Sequence, residues 1–314
     1  MAENHHVFSR LLDDAKATPP IPTAVVWPLS AVALEGVCDA AAGRVIEPVL
    51  IGPASEMVAI AGKEGLDISG FQTAEVGSEA DAAAKGVELC LAGKTQILMK
   101  GSLHTDVFMH AAMQDATGLR THRRTSHVFI FDVPSYPRML MITDAAVNIT
   151  PGLMDKADIV QNAIDLAHVL GLECPKVAIL SAVETVNPKI QSTIDAAALC
   201  KMADRGQITG GLLDGPLAFD NAVNLQAAEI KHITSPVAGQ ADILIVPDLE
   251  SGNMLSKQLE YLAGAEAAGI VLGARVPIVL TSRADGRKAR MASAAVAAML
   301  AHARVSKTDA AVKG

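Results

Sequence analysis

Aromatic residues are scarce: one tryptophan, two tyrosines and six phenylalanines in 314 residues, against 50% hydrophobic residues overall. Alanine, valine, isoleucine and leucine therefore carry the apolar content. That suits Ala-rich helices packed on a Val/Ile-rich sheet and excludes an aromatic-cored β-sandwich. Cysteine is sparse as well. Cys38, Cys90, Cys174 and Cys200 stand far apart, with no Cys-x-x-Cys pair. Reduced thiols in a cytoplasmic protein are expected, not a disulfide framework. There is no excess of cations: the formal net charge is −8 and the pI near 5.6. An acidic chain is a poor nonspecific nucleic-acid binder, so no nucleic-acid partner is expected. No apolar run reaches the length of a membrane span, and Met-Ala-Glu-Asn-His-His at the start is no signal segment. No membrane partner is expected either.

Several fingerprints are also missing. No two glycines stand in Gly-x-Gly spacing, so there is no dinucleotide fingerprint. Gly-x-x-x-x-Gly-Lys-Ser/Thr, His-Glu-x-x-His and Gly-x-Ser-x-Gly are absent, and no two aspartates lie four apart. Nothing points to a built-in metal, nicotinamide or nucleoside triphosphate.

What is present is alternation. Short β-branched runs at 23–27, 47–51, 96–99, 128–131, 139–142, 176–180, 208–212, 242–246 and 277–280 read as strands. Helical patterns at 31–42, 78–92, 105–117, 154–170, 188–204, 221–230, 254–265 and 287–303 separate most of them. This order predicts an α/β fold with a mainly parallel sheet. The strands at 128–131 and 139–142 are joined by a short Pro-containing connection, which predicts an antiparallel hairpin and a mixed sheet. The break Asn148-Ile-Thr-Pro-Gly152 marks a domain boundary. The length fits about two domains.

Polar loops follow the predicted strands, where a parallel α/β sheet meets its ligands. After the strand at 277–280 come Thr281-Ser282-Arg283-Ala284-Asp285 and four cations, Arg283, Arg287, Lys288 and Arg290. They crowd the start of a helix, where the helix dipole disfavours positive charge. A bound anion would offset the repulsion. Ser282 and Arg283 suit phosphate, and the competing use of Ser282 or Asp285 is helix capping. In the loop after 242–246, Ser251, Gly252 and Asn253 offer free N–H groups to an anion or a cap to the next helix. Gly210 to Asp220 contains Asp214, Gly215 and Pro216, fitting either a close-approaching ligand or a tight turn. Ser181, Glu184, Asn187 and Lys189 follow the strand at 176–180. The cationic loop 119–127 ends on His127, at the start of a strand and able to face a cleft. No nucleophile–base pair of the hydrolase kind stands among these residues.

Asp-Gly-Pro-Leu-Ala-Phe-Asp-Asn-Ala (214–222), Ala-Asp-Ile-Leu-Ile-Val-Pro-Asp-Leu-Glu-Ser-Gly-Asn-Met-Leu (241–255), Lys257-Gln-Leu-Glu-Tyr-Leu-Ala-Gly-Ala and Pro-Ile-Val-Leu-Thr-Ser-Arg-Ala-Asp (277–285) resemble the phosphate acetyltransferase/phosphate butyryltransferase family. The resemblance runs from about residue 46 to the last helix. It implies a two-domain α/β/α protein, isocitrate/isopropylmalate dehydrogenase-like, with an interdomain cleft. The first domain would be 1–149 plus 271–314. The second, 150–270, would dimerise. The implied reaction exchanges a short acyl group, acetyl to butyryl, between coenzyme A and phosphate. In it the CoA thiolate attacks the acyl phosphate directly, and coenzyme A is a substrate, not a resident cofactor. Ser282 matches the family serine that contacts the thiol, and Arg283 the arginine that binds the acyl phosphate.

Two departures stand out. Acetyltransferases carry an aspartate seven residues after that serine; here the position is Ala289. Asp285 gives the Ser-Arg-Ala-Asp pattern of butyryltransferase-like members and is the candidate base. Before the hairpin, where acetyltransferases place an arginine, this chain offers His127. Both lean towards a butyryl-type or broader acyl preference. Two alternatives stay open: a non-catalytic acyl-CoA sensor, motivated by Ala289, and a metal- and NAD-dependent dehydrogenase of the related fold.

Overall fold

The computed structural model describes residues 7–281 and 285–313, with 306–313 as helix backbone alone. In chain order, α1 (Val7–Lys16) precedes β1 (Ile21–Val26), α2 (Ala31–Ala42), β2 (Ile46–Ile51), α3 (Ala54–Glu64), β3 (Gln72–Ala74), α4 (Glu79–Leu91), β4 (Ile97–Lys100) and α5 (Thr105–Ala112). Then come β5 (Ser126–Asp132), β6 (Leu140–Thr143), α6 (Leu153–Val169), β7 (Lys176–Leu180), α7 (Gln191–Asp204), β8 (Leu212–Leu217), α8 (Phe219–Val223), α9 (Leu225–Ile230) and β9 (Ile243–Ile245). The chain closes with α10 (Leu249–Leu262), β10 (Glu266–Leu272), β11 (Ile278–Val279) and α11 (Arg287–Lys313).

These elements form two compact units, one of 124–267 and one of 8–123 with 268 onward. The hairpin strands β5 and β6, which the sequence reading grouped with 1–149, count with the unit of 124–267.

In the unit of 8–123 and 268 onward, the strand order is β3-β2-β1-β4-β11-β10. All neighbours are parallel except β11 and β10. Strands covered on both faces need apolar residues at every position, and β1 and β4 are buried almost throughout. Alternation then sorts the side chains. Val26, Leu98 and Ile278 face the cluster containing Ala82, Val87 and Phe108 of α4 and α5. Val25, Met99 and Val279 instead line a small cavity with Ala33 and Val37 of α2.

In the unit of 124–267 the order is β5-β6-β9-β7-β8. β5 runs antiparallel to β6 with Phe129 opposite Ile142, as the hairpin pattern requires. The other pairs are parallel. Phe131, Ile142, Leu180 and Leu244 pack with Ala222 and Ala228 of α8 and α9 on one face.

Several element bounds differ from those read in the sequence. β8 lies at Leu212–Leu217, not 208–212, so Asp214, Gly215 and Pro216 are strand residues rather than a turn. A side chain at Gly215 would press on Ile179 O at 2.7 Å, which is why glycine stands in this strand. β8 pairs only with β7 in this unit, and an edge strand tolerates proline. The helix read at 221–230 is two helices, because the Asn224 side chain caps α9 through Ala227 N. The helix read from 254 starts at Leu249, capped by Asp248. β3 and β10 carry no strong pattern, β3 being three residues long and β10 beginning Glu-Ala-Ala-Gly, while the helices α1 and α3 fall outside the predicted patterns, α1 despite an amphipathic sequence.

Candidate active site

β6, β9, β7 and β8 are parallel, so their carboxyl ends share one edge of the sheet in the unit of 124–267. The antiparallel β5 brings its amino end to that same edge. His127 therefore stands beside the end of β6, and Thr143 Oγ1 donates to His127 O at 2.8 Å. The next residue organises the following loop. Asp144 accepts the N–H groups of Ala146 and Val147, both at 2.9 Å, and Nδ2 of Asn148 at 2.5 Å. Asn148 Nδ2 also donates to Thr125 O at 2.8 Å, and Asn148 Oδ1 accepts Nε of Arg124 at 2.6 Å.

His127 is 2% exposed, and its Nδ1 has no hydrogen-bond partner. Its ring meets Phe129 edge-on at 4.4 Å. Burial pulls its pKa down to about 4, against the opposing field of Asp144. The imidazole is thus neutral at pH 7 and offers hydrogen bonding rather than charge.

The β9–α10 junction joins the same loop. Asn253 Nδ2 donates to Ala145 O at 3.2 Å, and Leu249 N to Ile149 O at 3.0 Å. Gly252 is buried, and a side chain there would meet Val246 Cγ2 at 2.7 Å and Asp144 O at 3.1 Å. Ser251 is committed to the helix cap: its N–H and hydroxyl both reach Asp248 Oδ1 at 2.8 Å. So His127, Gly252 and Asn253 converge on the 144–149 loop.

At the end of β7, Ser181 Oγ lies 2.9 Å from Ser192 Oγ. Asn187 shapes its own turn by accepting Lys189 N at 3.0 Å, and Lys189 is exposed. Glu184 is drawn into the scaffold by Lys231 at 2.7 Å and Asn221 at 2.6 Å, contacts that hold its carboxyl below the ordinary range. Asp214 Oδ1 accepts Gly215 N at 2.8 Å. Sequence reasoning overlooked a buried ion pair here, Lys156 Nζ to Asp195 Oδ2 at 2.7 Å, which joins α6 to α7. It also overlooked Asp144 and Asn148 as site residues, whose only sequence signal is a polar pair just after the end of a strand.

In the other unit the candidates lie between β11 and α11. Ser282 and Arg283 fall outside the described residues. Arg287 makes a two-pronged ion pair with Asp39 of α2, at 2.7 and 2.6 Å. Arg290 donates from Nη1 to Thr281 Oγ1 at 3.0 Å and from Nε to Asp285 O at 3.1 Å. Two of the four cations, Arg287 and Arg290, thus have partners within the protein besides any bound anion.

Neither Cys90 nor Cys200 offers a ready nucleophile. Burial pushes the thiols of Cys90 and Cys200 up to about 11 and about 12, away from reactive thiolate. Among the described residues, no group of three His, Cys, Asp or Glu side chains is arranged to hold a metal ion.

Residues 53–298 match the protein family described as "Phosphate acetyl/butaryl transferase". The chain belongs to this family. A phosphate acetyltransferase of Rhizobium meliloti is 56% identical over 97% of this chain and 96% of its own length. A phosphate butyryltransferase of Clostridium acetobutylicum is 44% identical over 85% of this chain and 89% of its own. Among solved structures, a branched-chain phosphotransacylase from Enterococcus faecalis V583 superposes with a TM-score of 0.79 at 29% identity. It covers 90% of this chain and 99% of its own. Phosphate acetyl/butyryl transferases of both names are therefore similar to this chain across nearly its whole length.

Proposed function

We propose that this protein is a phosphate acyltransferase that moves a short acyl group reversibly between coenzyme A and inorganic phosphate. The observation that carries this reading is the family match across 53–298, backed by relatives of both acetyl and butyryl name. In the acyl phosphate direction, the CoA thiolate attacks the carbonyl carbon. A C–S bond forms, the C–O bond to phosphate breaks, and the phosphate leaves with the bonding pair. The protein must position thiol and carbonyl, take up the thiol proton, and neutralise the carbonyl oxygen and the leaving phosphate. No acyl-enzyme is required, and the raised thiols of Cys90 and Cys200 fit that economy.

Ser282 is assigned to the thiol, Arg283 to the phosphoryl group and Asp285 to proton uptake. His127, Gly252 and Asn253 form the polar edge in the unit of 124–267, with Ser181, Asp214, Gly215 and Pro216 on neighbouring strand ends. Ser251, Asn187 and Lys189 stand at the margin of this set. Arg287 would have to leave Asp39 to join it. The free cysteines fit a reducing compartment, which supports a cytoplasmic location. A homodimer through the unit of 124–267 is supported by α10, whose Met254, Tyr261 and Leu262 are 65%, 66% and 81% exposed.

The test is release of free CoA thiol from acetyl-, propionyl- and butyryl-CoA, with and without phosphate. Phosphate-dependent release establishes the reaction, and the ranking of the three substrates gives the acyl preference. CoA binding without release from any of them would replace this reading with that of an acyl-CoA sensor, for which Ala289 is the motive.

A further inference from the structure

Trp27 is the only tryptophan in the chain. It directly follows β1 and is half-buried. Its backbone is left-handed, at φ 55°, a region that is costly for a bulky side chain. The surrounding structure holds it there. Trp27 N donates to Ile51 O at 2.7 Å, and Trp27 O accepts Leu29 N at 2.9 Å, Ser102 N at 2.9 Å and Ser102 Oγ at 2.8 Å. Gly101 permits this close passage of the two segments: a side chain there would stand 2.5 Å from Val26 O and 2.6 Å from Trp27 O. Trp27 packs on the cluster that holds α4 and α5, and its ring leans over Gly52, where a β-carbon would lie 3.5 Å from Trp27 Cε3. Backbone strain persists where the structure around it enforces it, and it gathers at ligand sites.

The position of Trp27 in the sheet is a second, independent observation. β1 and β4 are parallel neighbours. β1 leads into α2 on one face of the sheet, and β4 leads into α5 on the other. The two connections part at the carboxyl ends of β1 and β4. That is the switch point of the sheet, where open α/β sheets take up ligands. Trp27 stands at it. The segments that directly follow β1, β2, β3, β4 and β11 contain no other tryptophan, tyrosine or phenylalanine. We propose that Trp27 is the platform on which the adenine ring of coenzyme A stacks. This rests on the acyltransferase reading above, and it seats the nucleotide end of that substrate in the unit of 8–123 and 268 onward. A purine needs a flat apolar surface, and an indole offers a broad one. The base takes no part in acyl exchange, so Trp27 binds and orients the substrate and touches no reacting atom.

As the only tryptophan, Trp27 is its own reporter. Tryptophan emission of the unmodified full chain is followed while CoA, ADP or phosphopantetheine is added. This titration needs no turnover, so it stands apart from the thiol-release test that decides the acyltransferase reading. Saturable quenching by CoA, weaker quenching by ADP and none by phosphopantetheine is the expected result. Trp27→Leu should raise KM for acyl-CoA about 10-fold or more, the order that stacking of one base on an aromatic ring contributes. Its kcat and its KM for phosphate should stay near the native values, because the lost contact is the same in ground and transition state. Trp27→Tyr keeps a ring and should restore most of the affinity. The matching acyl-pantetheine has no base, so native protein and Trp27→Leu should use it equally well, which a general loss of structure would not allow. CoA quenching without thiol release would leave the platform standing in an acyl-CoA sensor. Emission unmoved by saturating CoA, quenching by phosphopantetheine as strong as by CoA, or ADP quenching that CoA does not displace would each overturn the platform. So would an equal loss on acyl-CoA and acyl-pantetheine in Trp27→Leu.

Discussion

Burial pulls His127 to about 4 against the opposing field of Asp144, and this has a measurable consequence for stability. The folded protein holds the ring neutral down to about pH 4, whereas the unfolded chain protonates near 6.5. Between those values the unfolded state binds the extra proton. The stabilisation is fully present above about pH 6.5 and is lost as pH falls through 4, by about 3 kcal/mol in all. Urea midpoints at pH 7 and pH 5 should therefore diverge more for the native chain than for His127→Gln; equal pH dependence would mean that the ring is not buried neutral. Asp285 carries a different test. If it takes the thiol proton, Asp285→Asn should lose activity mainly below about pH 8, where a free thiol is mostly protonated, and regain it towards the thiol's own pKa. A lower melting temperature with unaltered kinetics would make it a structural residue. Residue by residue, the sequence made His127 legible as a polar group at the start of a strand. Its neutral state was not legible, because that depends on burial by segments far along the chain. The ion pair of Arg287 was not legible for a similar reason. Asp39, its partner, lies near the other end of the sequence, and nothing local links the two.

At the scale of elements, the buried Lys156–Asp195 pair fastens α6 to α7, whose amino ends follow the loops at 144–152 and 181–190. Gln191 Nε2 gives Asp195 Oδ1 a further bond at 2.8 Å. Lys156→Met strands a buried carboxylate and should cost about 3–5 kcal/mol, read as a shift in the chemical-denaturation midpoint. Adding Asp195→Leu should recover much of it, because the apolar pair removes both charges together. Gly252→Ala tests the seat of α10. Its new carbon would stand 2.7 Å from Val246 Cγ2 and 3.1 Å from Asp144 O, and overpacking of this kind costs about 1–3 kcal/mol. Calorimetry of the variant would measure it, and a native melting temperature would show that the helix moves freely to make room. The elements legible from sequence were those with a clear period: β7 and α2 lie where the pattern put them, and β1 and β2 overlap their expected runs with shifted ends. β8 was displaced because Asp-Gly-Pro reads locally as a turn, and only the contact with β7 makes it a strand. α10 began early because Asp248 outcompeted Ser251 as the cap, and both are good caps by type.

For the whole molecule, the alternating order gave the mainly parallel sheet and the Pro-containing hairpin gave the β5–β6 antiparallel pair, whereas the second antiparallel pair, β10–β11, had no such signal. Which residues stand together at a carboxyl edge followed from topology that no stretch of sequence displays. The proposed dimer is tested at this scale. Leu262→Glu puts a charge on the exposed face of α10. Light scattering should then report a smaller mass than for the native chain, with little change in the chemical-denaturation curve of the separated subunit. An unchanged mass would move the interface off α10.

The position of β11 bears on the order in which the chain can fold as it is made. In its sheet β11 lies between β4 and β10, yet it leaves the ribosome some 180 residues after β4. Until then β4 has an open edge on the β11 side, with unpaired amide groups along a strand of four buried residues. The unit of 124–267, by contrast, has all its strands before that moment. Synthesis therefore completes one unit while the sheet of the other is still half-built, and in that interval the open edge of β4 is exposed to aggregation.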